Sequence, residues 1–333
     1  RQRQMCIRDR FRLIFLTLVM RHVTFRQMLS LLAIKRSGKI SQAAQELNLT
    51  GPAITLQLKQ LEEQLGLPLF DRSREGMRPT VAGEVALRAA RDIELRLRDF
   101  FEEVDAIRDA GSGRLAIGAV STAKYFAPAL IAGFRAKHPG IEIVLSVGNR
   151  FGIIDSLRQY DIDLALMGRP PRDFGVRSLL FGDHPLVMIA APDHPLTKRR
   201  ALAKEDLLAH KFIVREPGSG TRSSLDIFMS DVSGWQELRH TEMTSNETIK
   251  QAVMAGMGIA FISAHTIAME FELGRLKILD VEGMPIRRQW YGVTRSDREP
   301  NPAMRAFNEF LVAEGARYLP FIPTIYPMQP DEG

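Results

Sequence analysis

The chain carries a single cysteine, Cys6, in 333 residues. No internal disulfide framework can form, and a lone thiol fits a reducing, cytoplasmic compartment. Long apolar runs are also missing. The stretch FRLIFLTLVM at 11–20 is about half the length of the roughly 20 apolar residues that span a bilayer. With the basic RQRQMCIRDR before it, this stretch superficially resembles a secretory signal, but no small-residue cleavage site of the A-x-A kind follows. Catalytic signatures are missing as well: there is no G-x-S-x-G, no H-E-x-x-H, no Walker motif and no cysteine cluster. The seven histidines are scattered. His138, His184 and His194 each precede a proline and read as turn-like loop residues rather than metal ligands. No metal, no cofactor and no catalytic residue is therefore expected.

What is present is an ordinary globular composition, 45% hydrophobic and 25% charged, with length for two or three domains at roughly 100–200 residues each. The net charge of +6 is unevenly placed. Residues 21–80 hold nine Lys/Arg against five Asp/Glu and residues 1–20 hold five against one, so the remaining 253 residues are slightly acidic. A basic end on a near-neutral body suggests a polyanion-binding head. Met20 stands directly before the first patterned segment. It is expected to be the natural start, with 1–19 a non-native or disordered extension.

From Thr24, apolar Phe25, Met28, Leu29, Leu32 and Ala33 recur at helical spacing until Ser37-Gly38. Ser41 is expected to cap a short second helix that buries Ala43, Ala44 and Leu47. After the turn, Thr50 is the N-cap and Pro52 suits the first turn of a third helix, because its missing N–H costs nothing there. That helix is expected to bury Ile54, Leu58, Leu61 and Leu65 and to end at Gly66. Two helices joined by so short a turn fit a helix-turn-helix whose second element enters the major groove. Thr55, Gln57 and Lys59 are the expected groove-facing residues: Gln pairs with adenine, and Thr offers a hydroxyl and a methyl. The turn-rich DRSREGMRPT suits a wing whose Arg72 and Arg74 contact phosphate. The segment SQAAQELNLTGPAITLQLKQLEEQLGLPLFDRS closely resembles the DNA-binding head of LysR-type transcriptional regulators. Gly51 departs from the Ser or Gln usual in that family, and Thr55 conservatively replaces its usual Ser.

Thr80 caps a run from Val81 to Ala110, with Leu87, Ile93, Leu97, Phe101, Val104 and Ile107 as an apolar stripe. A helix of about 30 residues spans about 45 Å, and its stripe packs most simply against a second copy. In LysR-type regulators the matching helix dimerises.

Beyond GSG at 111–113, strand-like GRLAIGAV, IEIVLSVGN and DIDLALMG alternate with helices. This pattern predicts a parallel sheet with right-handed crossovers. A second lobe is expected to begin near Pro185, with strands LVMIAAP and KFIVRE and a helix after PGSGTRSSL. The segments RRQWYGVT and 302–314 are expected to return to the first lobe, leaving an inter-lobe cleft as the ligand site. Anion chemistry clusters at strand ends: Ser121, Thr122 and Lys124 where a helix begins, and Ser219, Thr221 and Arg222 in REPGSGTR. Asn149, Arg150, Gly168, Arg169, Asn246 and Glu247 occupy other strand ends, where cleft residues are expected. The competing reading of each is ordinary turn and capping chemistry. VSTAKYFAP, SVGNR, DLALMGRPP, REPGSGTR and SNETIKQAVMAGMGIAFIS look most like the CbbR group of LysR-type regulators, which control Calvin-cycle (RuBisCO) operons. That resemblance implies a homotetramer answering to phosphorylated metabolites or nicotinamide nucleotides.

The expected architecture is an all-α winged helix-turn-helix head at 20–80 and a linker helix at 81–112. A two-lobed α/β domain, type 2 periplasmic-binding-protein-like, follows at 113–315, with lobe I about 113–184 and 287–315, lobe II about 185–286, and a tail at 316–333. The expected partners are double-stranded DNA, further copies of the chain, RNA polymerase and a small anionic effector, with no membrane. A solute-binding protein and an enzyme acting on a phosphorylated substrate are the competing readings; the first requires export and the second an acid/base pair in the cleft.

Overall fold

A computed structural model describes residues 23–73, 76–108 and 113–323. Cys6, Met20 and the whole 1–19 extension, Arg74 of the wing and the tail beyond 323 lie outside the described residues, as does the side chain of Ile107. The chain forms two compact units, Arg1–Phe101 and Glu102–Gly333.

In the first unit, α1 (Phe25–Ser37) opens on a capping box. Gln27 N–H donates to the Thr24 hydroxyl at 3.3 Å, and Thr24 N–H to Gln27 Oε1 at 2.8 Å. Gly38, at φ 68°, closes the helix. Helix α2 spans Ile40–Glu46 and begins one residue before the expected cap: Lys39 is the N-cap without a side-chain bond, and Ser41 lies inside the helix. Helix α3 (Gly51–Leu65) is capped by Thr50, carries proline in its first turn and ends at Gly66. Ile54, Leu58 and Leu61 are buried against Leu31, Leu32, Ala43 and Ala44. Leu65 is not buried; it is 41% exposed, because the core ends before the last turn. The strands β1 (Phe70–Ser73) and β2 (Gly76–Pro79) pair as an antiparallel wing. Helix α4 (Val81–Arg108) follows Thr80, whose hydroxyl accepts from Gly83 N–H. Its first turns bury Leu87 and Ala90 in the head core, whereas Phe100, Phe101 and Val104 are exposed.

The second unit holds a nine-stranded sheet in the order β4-β3-β5-β11-β6-β9-β7-β8, with β10 off this path against β6. Its strands are β3 (Gly113–Val120), β4 (Ile141–Gly148), β5 (Leu164–Met167), β6 (Val176–Ala190), β7 (Phe212–Arg215), β8 (His240–Met243), β9 (Ile259–Ser263), β10 (Lys277–Ile278) and β11 (Ile286–Arg295). The expectation of a parallel sheet holds at β3–β4, β3–β5, β7–β8 and β7–β9 only. The centre is antiparallel, because β6 and β11 run against each other through both lobes. On one side, helices α5 (Ala127–Lys137), α6 (Arg150–Arg158) and α10 (Pro302–Glu314) enclose a core around Phe134, Leu164 and Phe307. On the other, α7 (Gly220–Phe228) packs over Phe212 and Trp235, and α8 (Asn246–Met254) over Ile213 and Ile262. Helix α7 begins within GTRSSL rather than after it, because Gly218, at φ 88°, turns the chain early. A short α9 (Ala268–Glu272) completes the set.

Ile54 is fully buried at the crossing of the head helices. Ile54→Ala is expected to destabilise the head by about 2–5 kcal/mol. A urea titration followed by circular dichroism checks this: an unshifted head transition contradicts the packing described.

Candidate functional site

The exposed face of α3 is set by its buried one. With Ile54, Leu58 and Leu61 inward, Pro52, Leu56, Lys59, Gln60 and Glu63 point outward. Thr50 is exposed at the helix start, and Lys59 is 70% exposed, reaching Glu63 at 3.6 Å. Thr55 is half-buried; its hydroxyl donates to Gly51 O at 2.9 Å, which leaves the oxygen and methyl for a partner. Gln57 does not face outward as expected: its Oε1 accepts a bond from Ser30 of α1. Position 57 lies three residues after Ile54 and so belongs to the inward flank of the helix. Leu56, 55% exposed, takes a place on the outer face that sequence reasoning passed over because an apolar residue was assigned to the core. Arg72 is exposed on β1 of the wing; its expected companion Arg74 lies outside the described residues.

In the second unit, the C-terminal ends of β3, β4, β5 and β7 meet at one cavity of about 120 Å³. Ser121 and Thr122 follow β3, Arg150 opens α6 after β4, Gly168 and Arg169 follow β5, and Ser219 and Thr221 start α7 after β7. All seven are sequence-predicted residues, brought together because the carboxyl ends of β3, β4 and β5 face the carboxyl end of the oppositely running β7, with β6 and β11 between them. The first turn of α7 offers backbone N–H groups there, beside the buried Ser219, whose hydroxyl caps nothing. Arg150 donates to Arg169 O, and burial together with the neighbouring Arg169 charge pulls the Arg150 guanidinium below its ordinary value. Three arginines and no carboxylate line the cavity.

The other five predicted residues lie elsewhere. Arg222 turns away, its Nε 3.0 Å from both oxygens of Asp226 one helical turn on. Asn149 caps α6, accepting from Gly152 N–H. Lys124, Asn246 and Glu247 cross-link the lobes beside the cavity. Lys124 Nζ is 2.7 Å from Glu247 Oε2, and Tyr125 Oη donates to Glu247 Oε1 at 2.6 Å. Asn246 Oδ1 accepts from the buried Arg215 at 2.7 Å, and Arg215 also reaches the Ser121 hydroxyl at 3.1 Å. Burial pushes the Glu247 carboxyl up, but bonds from Lys124, Tyr125 and Ser245 outweigh it and hold it at about 2. Among the described residues no group of three or more His, Cys, Asp or Glu could hold a metal ion, and no helix is long and apolar enough to cross a membrane.

His184 and Arg288 are among the lining residues that the sequence reading missed. His184 is not a loop residue; it lies inside β6 opposite Arg288 of β11, and both line the cavity. Pro185 concealed this, since proline inside a strand is uncommon. The His184 ring stacks on Trp290 with centroids 3.9 Å apart, and Trp290 Nε1 donates to His265 Nδ1 at 3.1 Å. Burial, with His265 and Arg288 nearby, holds His184 well below its ordinary value; burial alone brings His265 to about 4.

The chain matches two family models, the lysR-family bacterial regulatory helix-turn-helix protein over residues 25–84 and the LysR substrate binding domain over residues 108–316. It is 56% identical over 308 residues to the HTH-type transcriptional regulator CbbR of Rhizobium meliloti (strain 1021), covering 92% of this chain and 98% of the relative. The chain belongs to the LysR family of transcriptional regulators. The RuBisCO operon transcriptional regulator of Allochromatium vinosum is 43% identical over 297 residues, 89% of this LysR-type chain and 98% of its own. Among solved structures, the regulatory domain of Synechocystis PCC6803 CcmR in complex with 2-PG aligns with a TM-score of 0.56 at 35% identity, covering 60% of this chain and 96% of that one. The LysR-type relatives are regulators, not enzymes, and the helix-turn-helix head separates the chain from a solute-binding protein.

The buried histidines carry a pH dependence. His265 is neutral when folded down to about pH 4 but takes a proton near pH 6.5 when unfolded. The unfolded state therefore binds more protons between those values, and stability falls as pH drops from 6.5 to 4. In His265→Gln, which keeps an acceptor for Trp290, the melting temperature should fall less over that window than in the parent. An identical slope in scanning calorimetry refutes the assignment.

Proposed function

We propose that this LysR-type regulator controls a carbon-fixation operon and that a small phosphorylated metabolite bound between its lobes sets its activity. The single observation that carries the effector class is the cavity that joins Arg150, Arg169, Ser219, Thr221 and the first turn of α7 with no carboxylate among them. The names of the CbbR and RuBisCO-operon relatives and the CcmR domain in complex with 2-PG support the operon and the ligand class. A volume of about 120 Å³, against about 300–1,000 Å³ for pockets that take drug-sized ligands, favours a small metabolite over a nicotinamide nucleotide.

The division of labour follows the expected boundaries: a reading head over 20–80, a linker over 81–112 and a two-lobed sensor over 113–315. The exposed Phe100, Phe101 and Val104 of α4 are the surface we assign to pairing with a second copy, on the way to a tetramer in the cytoplasm. Thr50, Pro52, Thr55 and Lys59 on α3, with Arg72 and Arg74 of the wing, meet the DNA. Effector binding shifts the population of lobe arrangements by its differential affinity for them, and so alters the DNA contacts and the approach of RNA polymerase.

Anisotropy titration with the DNA upstream of the chain's own gene, at two salt concentrations and with a panel of sugar phosphates and phosphorylated acids, tests this reading. Specific, salt-weakened binding that one small phosphorylated compound shifts is the expected outcome; a response to none of the panel rejects the effector class. Arg150→Ala is expected to weaken that compound's binding about 10- to 100-fold, as for loss of a charged hydrogen bond, with basal DNA affinity unchanged. Arg222→Ala, bound to Asp226 instead, should leave effector affinity within about twofold in the same calorimetric titration, a range expected of substitutions away from a site.

A further inference from the structure

Helix α3 turns an apolar strip outward. Leu56 is 55% exposed, and Pro52, four residues earlier and so on the same face, is exposed as well. A single exposed leucine is ordinary on a protein surface. This one is set apart by its place. It lies in the first half of the second element of the helix-turn-helix, the part that reaches base edges in the major groove.

Its neighbours leave that place almost without hydrogen-bonding side chains. Gln57 is tied to Ser30 of α1, and the Thr55 hydroxyl donates to Gly51 O at 2.9 Å. Ala53 has no polar group, and Gly51 has no side chain at all. A Cβ built at Gly51 would meet nothing within 4 Å, and its φ is outside the left-handed region. Neither packing nor backbone conformation therefore requires glycine there; what its bareness provides is a closer approach of the first turn to a partner. Charge enters only in the second half of α3, with the exposed Lys59 and Glu63, and on the wing with Arg72. Cations at these places suit phosphates, which position the head without reading sequence. The reading is left to the apolar strip.

The apolar group that base pairs display in the major groove is the C5-methyl of thymine. We propose that Leu56, with Pro52 beside it, is a specificity-determining contact of the head, packed on the methyl of a thymine in the DNA site. Contact of leucine with the methyl removes apolar surface of both from water. Adenine, guanine and cytosine present donors and acceptors in that groove instead, and a leucine would dehydrate these without replacing their bonds. Discrimination thus comes from the penalty on the wrong base as well as from attraction to the right one. The inference rests on α3 entering the major groove.

The test uses the full chain and the DNA upstream of its own gene. Footprinting locates the protected segment, and its thymines are replaced one at a time by deoxyuridine, which lacks only the methyl. In anisotropy titrations the parent should lose about fourfold in affinity at one or more of these positions, the worth of about one buried methyl group. Leu56→Ala should bind the thymine and uracil duplexes equally there. Comparing the two ratios cancels any effect of the methyl on the duplex itself, and alanine at an exposed helical site keeps the head folded. Specific binding with no methyl-sensitive thymine, or the same sensitivity in Leu56→Ala as in the parent, overturns the contact and leaves α3 in the groove. Absence of specific binding overturns both. A smaller assembly of Leu56→Ala in analytical ultracentrifugation assigns the strip to contact between copies of the chain and equally overturns the proposal.

Discussion

Trp290 is the ring on which the second unit turns. It is fully buried, with Phe126 edge-on at 4.9 Å, His184 stacked at 3.9 Å and His265 accepting its indole N–H. Phe126 precedes α5 on one side of the cleft and His265 follows β9 on the other, while His184 and Trp290 sit on the strands that run through both. Burying an indole contributes roughly 4–6 kcal/mol, so this contact is among the strongest ties between the lobes. The β6–β11 register shifts between Trp290 and Tyr291, which is where the paired strands depart from a regular ladder.

Everything around that ring is weaker and partly wet. The Lys124–Glu247 pair joins the lobes at 2.7 Å, but 34% and 47% of its two side chains are exposed, and pairs of that kind contribute about 1 kcal/mol or less. Arg215, Ser121 and Asn246 form a second, drier link. Of these ties between the lobes, the exposed Lys124–Glu247 pair is the one that costs least to rearrange. A ligand whose affinity differs between arrangements by a few kcal/mol is then enough to shift the population.

Much of the local structure was legible. Thr50, Gly38 and Gly66 mark helix ends by cap chemistry that involves only a few neighbouring residues, and the structure uses all three. Seven of the twelve expected effector residues line the cavity, because each lobe's parallel strands direct their carboxyl ends toward the other lobe. Four of the misses share one cause. Gln57, Arg222, Lys124 and Glu247 have long side chains whose direction is decided by a distant or helical partner: Ser30, Asp226, and each other. His184 and Arg288 lie more than a hundred residues apart and become neighbours only when β6 pairs with β11.

By itself the sequence determined the head, the linker, the alternating strands and helices, and the family to which they belong. Each of these follows from short-range periodicity, caps and turns. Tertiary structure alone decided that the sheet is antiparallel at its centre, that Leu56 rather than Gln57 faces outward, and that a histidine read as a loop residue is buried in a crossing strand. Those outcomes depend on long-range pairing, and the free energy of a contact between remote residues is not written in either segment alone.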